Sequence, residues 1–193
     1  MSDSIRVGVI WGSLRKDSYN KKLALFATSG LDGVEVDHID LAQLDLPMFS
    51  EDLEAQGIPA NVNDLKDRMI KCDVVIVASP EYNGSFSGAL KNAIDWASRP
   101  REGDAPLACF GGKVAGLLAA SPGAIGGLRG MRHVRQVLTQ LQMIVVPKEF
   151  ALGKAHEAFD ESGTIKDENA AGMARGVVEQ AINVARALKA HGA

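Results

Sequence analysis

The chain has only two cysteines, Cys72 and Cys109, in 193 residues. They lack the spacing of a metal site and are too few for a disulfide framework. Cys72 follows a helical stretch and Cys109 lies in a Pro/Gly-rich loop; neither has an obvious activating partner, so both are read as structural thiols. The four histidines, His38, His133, His156 and His191, are scattered without metal-ligand spacing. No metal ligand is assigned. An excess of one charge is also missing. The formal net charge is -3, too small to argue for nucleic acid or a strongly charged partner. No apolar run approaches the roughly 18 residues of a membrane span, and no signal-peptide apolar region opens the chain. A cytoplasmic protein without membrane or nucleic-acid partners is expected. Three signatures are absent as well: the GK[ST] phosphate loop, the GxGxxG fingerprint and the G-x-S-x-G nucleophile elbow. Ser13 and Ser121 thus carry no motif that would activate them as nucleophiles, and no side chain is assigned a catalytic role.

What is present is a regular alternation. Apolar strands are predicted over 5–10, 34–39, 74–78, 114–120 and 144–146. Several are unbroken Val/Ile-rich runs, the pattern of parallel strands buried on both faces. Amphipathic helices are predicted between them, over 18–29, 59–71, 87–97, 127–141 and 168–190. The stripe Val134, Val137, Leu138 and Leu141 is ordinary core packing at helical spacing. A chain of this length buries about 70% of its unfolded surface, enough for one core without staples. Five βα units with right-handed crossovers give one α/β domain over 1–193, an open doubly wound sheet with helices on both faces. The longest irregular stretches are 47–57, a plausible rim of a binding site, and 147–166, a surface excursion.

In such sheets ligands bind beyond the carboxyl ends of the strands, at the topological switch point. Three strands end in loops rich in Gly, Ser, Pro and Asn: "GSLRKDSYN" after the first, "SPEYNGSFSG" after the third and "SPGAIGGLRG" after the fourth. The first suits a phosphate. Ser13, Ser18 and Asn20 offer hydrogen-bonding side chains, Arg15 a planar cation, and the helix beginning near Ser18 a positive dipole end. Leu14 and Tyr19 belong to the same loop. The alternative is a capped turn with solvated cations, and Asp17 is unfavourable beside an anion unless it points outward. The loop of Pro80, Glu81, Tyr82, Asn83 and Gly84 suits a planar ligand: Pro80 stiffens the exit, and Asn83-Gly84 permits a turn at positive φ. An ordinary capped loop is the competing reading. Gly123 allows close approach to a ligand, whereas Gly126 and Gly127 are read as helix–sheet packing. Asp95-Trp96 is either a site element or a packing aromatic beside a surface acid.

The stretches "GSLRKDSYN", "SPEYNGSFSGALKNAIDWASRP" and "SPGAIGG" together resemble the NADPH-dependent FMN reductase family, in particular its quinone and chromate reductase branch. The resemblance runs in order over nearly the whole chain. It implies a flavodoxin-like three-layer sandwich, a five-stranded parallel sheet of order 2-1-3-4-5. It also implies bound FMN, NADPH or NADH as hydride donor, a small-molecule acceptor such as a quinone or chromate, and a ping-pong mechanism in which the flavin carries the chemistry. Ser13, Arg15, Ser18 and Asn20 match the family's FMN phosphate loop. Pro80, Glu81, Tyr82 and Asn83 match the loop beside the isoalloxazine, and Ser121 a residue by the flavin ring. Asp17, Gly84 and Ser87 depart from the pattern, which often has Gly, an aromatic and Pro there. A one-electron carrier of the flavodoxin type is the main rival, but such carriers tend to be strongly acidic. A flavin-based redox sensor is the other. A homodimer or homotetramer is expected, and the helix carrying Leu90, Ala93, Ile94 and Trp96 is one place for an apolar contact.

Overall fold

The computed structural model describes residues 4–192. Five parallel strands form the main sheet: β1 (Ile5–Trp11), β2 (Val34–Asp40), β3 (Val74–Ala78), β6 (Val114–Ala120) and β7 (Ile144–Leu152). A two-stranded hairpin, β4 (Glu81–Tyr82) and β5 (Ser85–Phe86), interrupts the series after β3. The sheet order is β2-β1-β3-β6-β7, so the five main strands follow the predicted 2-1-3-4-5 order. The chain winds one way from β1 to β2 and the other way from β3 onward. The switch point therefore lies between β1 and β3.

The helices are α1 (Tyr19–Ala27), α2 (Leu41–Leu44), α3 (Glu51–Ala55), α4 (Ala60–Lys71), α5 (Gly88–Ala97), α6 (Leu128–Gln140), α7 (Ala155–Ala158) and α8 (Glu168–Ala190). Because strand side chains alternate between faces, the sheet supports two cores. Val7, Val9 and Ile76 pack with Leu23 of α1 and Val178 of α8 on one side. Ile10, Val75 and Val77 pack with Leu65 of α4, Leu90 of α5 and Leu138 of α6 on the other. The unbroken Val/Ile runs are thus needed, since both strand faces are buried.

Three differences from the sequence reading have physical causes. First, β7 does not stop at Val146. Pairing runs Ala115↔Val145 and then resumes at Leu117↔Glu149, so the partner strand advances two residues while β7 advances four. Pro147, which cannot donate to a ladder, falls in that irregularity on an edge strand, where proline is tolerated. Second, the stretch 47–57 is not irregular throughout. It contains α3 and is fastened to α5: Asn92 Oδ1 accepts the Phe49 N–H at 2.8 Å, and the Trp96 indole donates to the Pro47 carbonyl at 2.8 Å. Phe49 meets Trp96 edge-on, with ring centroids 5.0 Å apart. Third, Leu90, Ala93, Ile94 and Trp96 are all buried within the chain, so any subunit contact of α5 would fall to its other residues. Trp96 is a packing residue, and Asp95 forms an i,i+4 pair with Lys91 at 2.6 Å.

Candidate active site

β1 empties into residues 12–18, and the Gly12 N–H donates to the Ala78 carbonyl at 2.9 Å. This holds the exits of β1 and β3 side by side. Ser18 then caps α1, its hydroxyl accepting the Lys21 N–H at 3.2 Å. The N–H groups of Tyr19 and Asn20, in the first turn, have no intrahelical acceptors. They point with the positive end of the helix dipole into the space above the sheet. Ser13 and Ser18 are buried beside them. The capped-turn and phosphate readings are therefore compatible: Ser18 Oγ uses a lone pair on the cap and keeps its proton.

Asn20 behaves differently from a free donor. Its Nδ2 donates to the Ala120 carbonyl and its Oδ1 accepts the Ala120 N–H, each at 2.9 Å. The side chain pins α1 to the end of β6, leaving the Asn20 backbone N–H for the site. Arg15 is exposed; its guanidinium donates to the Asp17 carbonyl and lies 4.9 Å from the Tyr19 ring centroid. Asp17 is exposed and outside the cleft lining, so its carboxylate does not occupy the anion end.

The β4–β5 hairpin stands beyond β3. Its two loop residues, Asn83 and Gly84, have φ of 53° and 78°. Positive φ at both central positions is the type I′ signature, the turn that matches strand twist in a two-residue hairpin. Asparagine and glycine are the residues that tolerate it, which explains Gly84 here. Tyr82 is exposed on the hairpin, and Pro80 is buried at its base.

Glu81 ties the hairpin to α6. Its Oε2 accepts the N–H groups of Arg129 and Gly130 at 3.1 and 3.2 Å, and its Oε1 meets the Arg129 guanidinium at 2.6 Å. Helix α6 has Gly127 at its N-cap and no cap from its own side chains; Glu81 supplies the cap from 48 residues away. Burial pushes the Glu81 carboxyl up, but the Gly130 N–H and the Arg129 contacts outweigh it, leaving it below the ordinary value of 4.5. It is a fixed anion, not a group poised to exchange protons.

A cleft of about 150 Å³ lies between the three loops, lined by Ser13, Arg15, Ser18, Tyr19 and Asn20 at one end. Pro80, Glu81 and Tyr82 line another side, and Ala120, Ser121 and Pro122 close it. Asn83, Gly84, Leu14 and Gly123 flank it on the same loops without lining it. The Gly123 N–H donates to Ser121 Oγ at 3.2 Å. Gly126 and Gly127 are packing glycines, as expected from the sequence. A Cβ on Gly126 would lie 2.7 Å from the backbone carbons of Ala151 and Leu152, and one on Gly127 3.0 Å from Ala119 Cβ. Ala120, Pro122 and the Glu81–Arg129 pair were not singled out from sequence; nothing local marks them, because their neighbours are distant in the chain. Both thiols lie outside the cleft, and burial pushes Cys72 up to about 11 and raises Cys109 as well. Neither is activated.

A doubly wound sheet with an anion-type helix terminus and a two-residue hairpin facing each other at its switch point defines a flavodoxin-like nucleotide-binding protein. Residues 5–157 match the NADPH-dependent FMN reductase family, and the chain belongs to that family. It is 40% identical over 173 residues to an NAD(P)H-dependent FMN reductase of Pseudomonas aeruginosa, covering 88% of this chain and 89% of that one. It is 39% identical over 172 residues to a quinone reductase of Pseudomonas putida, covering 87% and 88%. Among solved structures, the flavoenzyme NAD(P)H:(acceptor) oxidoreductase FerB of Paracoccus denitrificans superposes with a TM-score of 0.79 at 34% identity, covering 93% of this chain and 96% of that one.

Proposed function

We propose that this protein is an FMN-dependent NAD(P)H oxidoreductase that delivers electrons to quinones, and to chromate or similar small acceptors. The observation that carries this reading is the single cleft joining an anion-type end to a rigid hairpin. The donor set fits the cofactor. The Ser13 and Ser18 hydroxyls, the Tyr19 and Asn20 N–H groups and the Arg15 guanidinium suit a phosphate dianion. Glu81, the carboxylate in the lining, is neutralised by Arg129.

FMN, when bound, would supply the redox chemistry between NAD(P)H and the acceptor. The chain's own work is to hold and orient. Residues 81–83, braced by the hairpin and by the Glu81 contacts to α6, would offer backbone N–H groups to a flavin ring on which negative charge develops. Ala120, Ser121 and Pro122 form the third wall, with Gly123 beside it, and Leu14 and Tyr82 add exposed apolar surface on the two facing loops. No side chain is required as acid, base or nucleophile. Donor and acceptor share one cleft and bind in turn, which gives ping-pong kinetics. The working form is a homodimer or homotetramer in the cytoplasm, and light scattering at micromolar concentration should give a mass well above the 20.5 kDa of one chain.

One anaerobic experiment tests the core of this reading. The purified protein, loaded with FMN, is titrated with NADPH and then with a quinone. Bleaching of the yellow colour by NADPH alone, followed by recovery on quinone addition, is expected. A flavin that stays oxidised without a partner reductase rejects the enzyme assignment. No helix among the described residues is long and apolar enough to cross a membrane.

A further inference from the structure

Ser87 lies outside the cleft lining, 2% exposed, at the N-cap of α5. Its Oγ accepts the Leu90 N–H at 3.2 Å, as a helix cap does. A cap needs only the acceptor. The proton of Ser87 goes elsewhere: it is donated to the Gly12 carbonyl at 2.5 Å, 75 residues away. Gly12 is the residue that opens the anion-binding loop. The contact is close-packed, since a Cβ on Gly12 would come within 2.6 Å of Ser87 Oγ and 3.0 Å of Leu90 Cβ. On the other side Ser79, at the exit of β3, donates to the Pro80 carbonyl at 3.0 Å and lies 3.5 Å from the Ser87 nitrogen. Ser87 therefore joins the two loops: its hydroxyl holds the Gly12 carbonyl after β1, and its backbone N–H faces Ser79 Oγ at the exit of β3.

We propose that Ser87 is a positioning residue that locks the phosphate loop and the hairpin loop into one rigid body, so that both ends of FMN meet a single preorganised site. This rests on the FMN reading above. A ligand with two anchoring ends gains most when its two subsites are held at a fixed separation; a loose connection lowers the effective concentration of the second end. Loops ordered during folding also spare the ligand the entropy of ordering them. Without the hydroxyl, the hairpin is still held by Glu81 on α6. The phosphate loop keeps the Gly12 N–H bond to the Ala78 carbonyl but loses its side-chain tie to the start of α5, and the Gly12 carbonyl is left buried without that donor.

The test compares wild type, Ser87→Ala, Ser87→Thr and Ser50→Ala as full chains. Ser50 caps α3 through its hydroxyl on the Leu53 N–H, outside the cleft lining, and controls for loss of a helix cap. Affinities for FMN and riboflavin are read by quenching of flavin fluorescence. Amide hydrogen exchange is read on the flavin-free proteins. Ser87→Ala should weaken FMN about tenfold, the equivalent of about 1.4 kcal/mol, and riboflavin less than about threefold, because riboflavin lacks the phosphate end. Exchange should accelerate over residues 13–20. Ser87→Thr should restore both measurements, and Ser50→Ala should leave both unchanged. A Ser87→Ala protein that matches wild type in both measurements, or loses FMN and riboflavin equally, overturns the proposal. A wild type that binds neither flavin sinks the cofactor reading instead, and the exchange data then decide alone whether Ser87 couples the loops.

Discussion

At the scale of single residues, two charged groups in the cleft behave in opposite ways. Arg15 is held by the Asp17 carbonyl and by the Tyr19 ring, at the mouth of the anion end. A planar fork makes directional, charge-assisted contacts with a phosphate that a lysine point charge does not. Arg15→Ala should therefore cost about 1.5–3 kcal/mol of FMN affinity, and Lys16→Ala much less. Equal dissociation constants for the two variants would show that the phosphate end is misplaced. Glu81 is already spent. Its carboxylate is committed to the α6 N-terminus, so Glu81→Gln should keep FMN reduction by NADPH within about tenfold of wild type, below the loss typical of a general acid or base. The rate should be flat between about pH 6 and 8, where no required group titrates. Stability gives the complementary signature. A carboxyl with a folded-state pKa below 4.5 stabilises above that value and loses its contribution as pH falls through the folded-state value. In urea unfolding, the advantage of wild type over Glu81→Gln should be present at pH 7 and fade as pH falls below 4.5 through the folded-state value. It should be modest, because Arg129 is 68% exposed and solvent screens the pair.

At the scale of elements, the proposed chemistry depends most on the geometry of the hairpin. Asn83 at φ 53° is incompatible with proline, whose ring fixes φ near −65°. Asn83→Pro should abolish the hairpin and FMN binding together, although it removes neither an acid nor a base. Stopped-flow bleaching and flavin fluorescence read this directly; a variant that still binds and reduces FMN would show that residues 81–84 are not part of the site. The same element shows what local sequence conveys. The Asn83-Gly84 pair announces a positive-φ turn by itself, because few other residues accept that backbone. The strands on either side are two residues each, too short for any hydrophobic period, so the hairpin as a hairpin was not legible. The bulged β7 is the reverse case: Pro147 marks a strand end locally, and only an edge position lets the ladder resume beyond it.

At the scale of the whole molecule, ligand binding and stability are linked. The cleft is assembled from the ends of β1, β3 and β6, so a ligand bridging them favours the native state. FMN at a hundredfold over its dissociation constant should add about 2.7 kcal/mol of stability. The melting temperature should rise with FMN, and less with riboflavin at the same concentration. Equal shifts, or none, measured by differential scanning fluorimetry, would count against a phosphate site at the α1 N-terminus.

The order of the elements, the two-faced burial of the central strands and the polar, glycine-rich character of the strand-end loops around the cleft followed from sequence alone. Unbroken Val/Ile runs and helical periodicity are local consequences of burial, and small, polar residues at strand ends mark places where the backbone approaches a ligand. The types of residue at the anion end, Ser13, Arg15 and Ser18, were legible for the same reason. The partners were not. That Asn20 would spend its amide on Ala120, that Glu81 would cap a helix 48 residues on, that Trp96 would hold Pro47 and that Ser87 would reach Gly12 are matters of distance in space. No spacing in the chain encodes them. A side chain's donors and acceptors are fixed by its chemistry, but which of them remain for a ligand is decided only when the fold brings its competitors within reach.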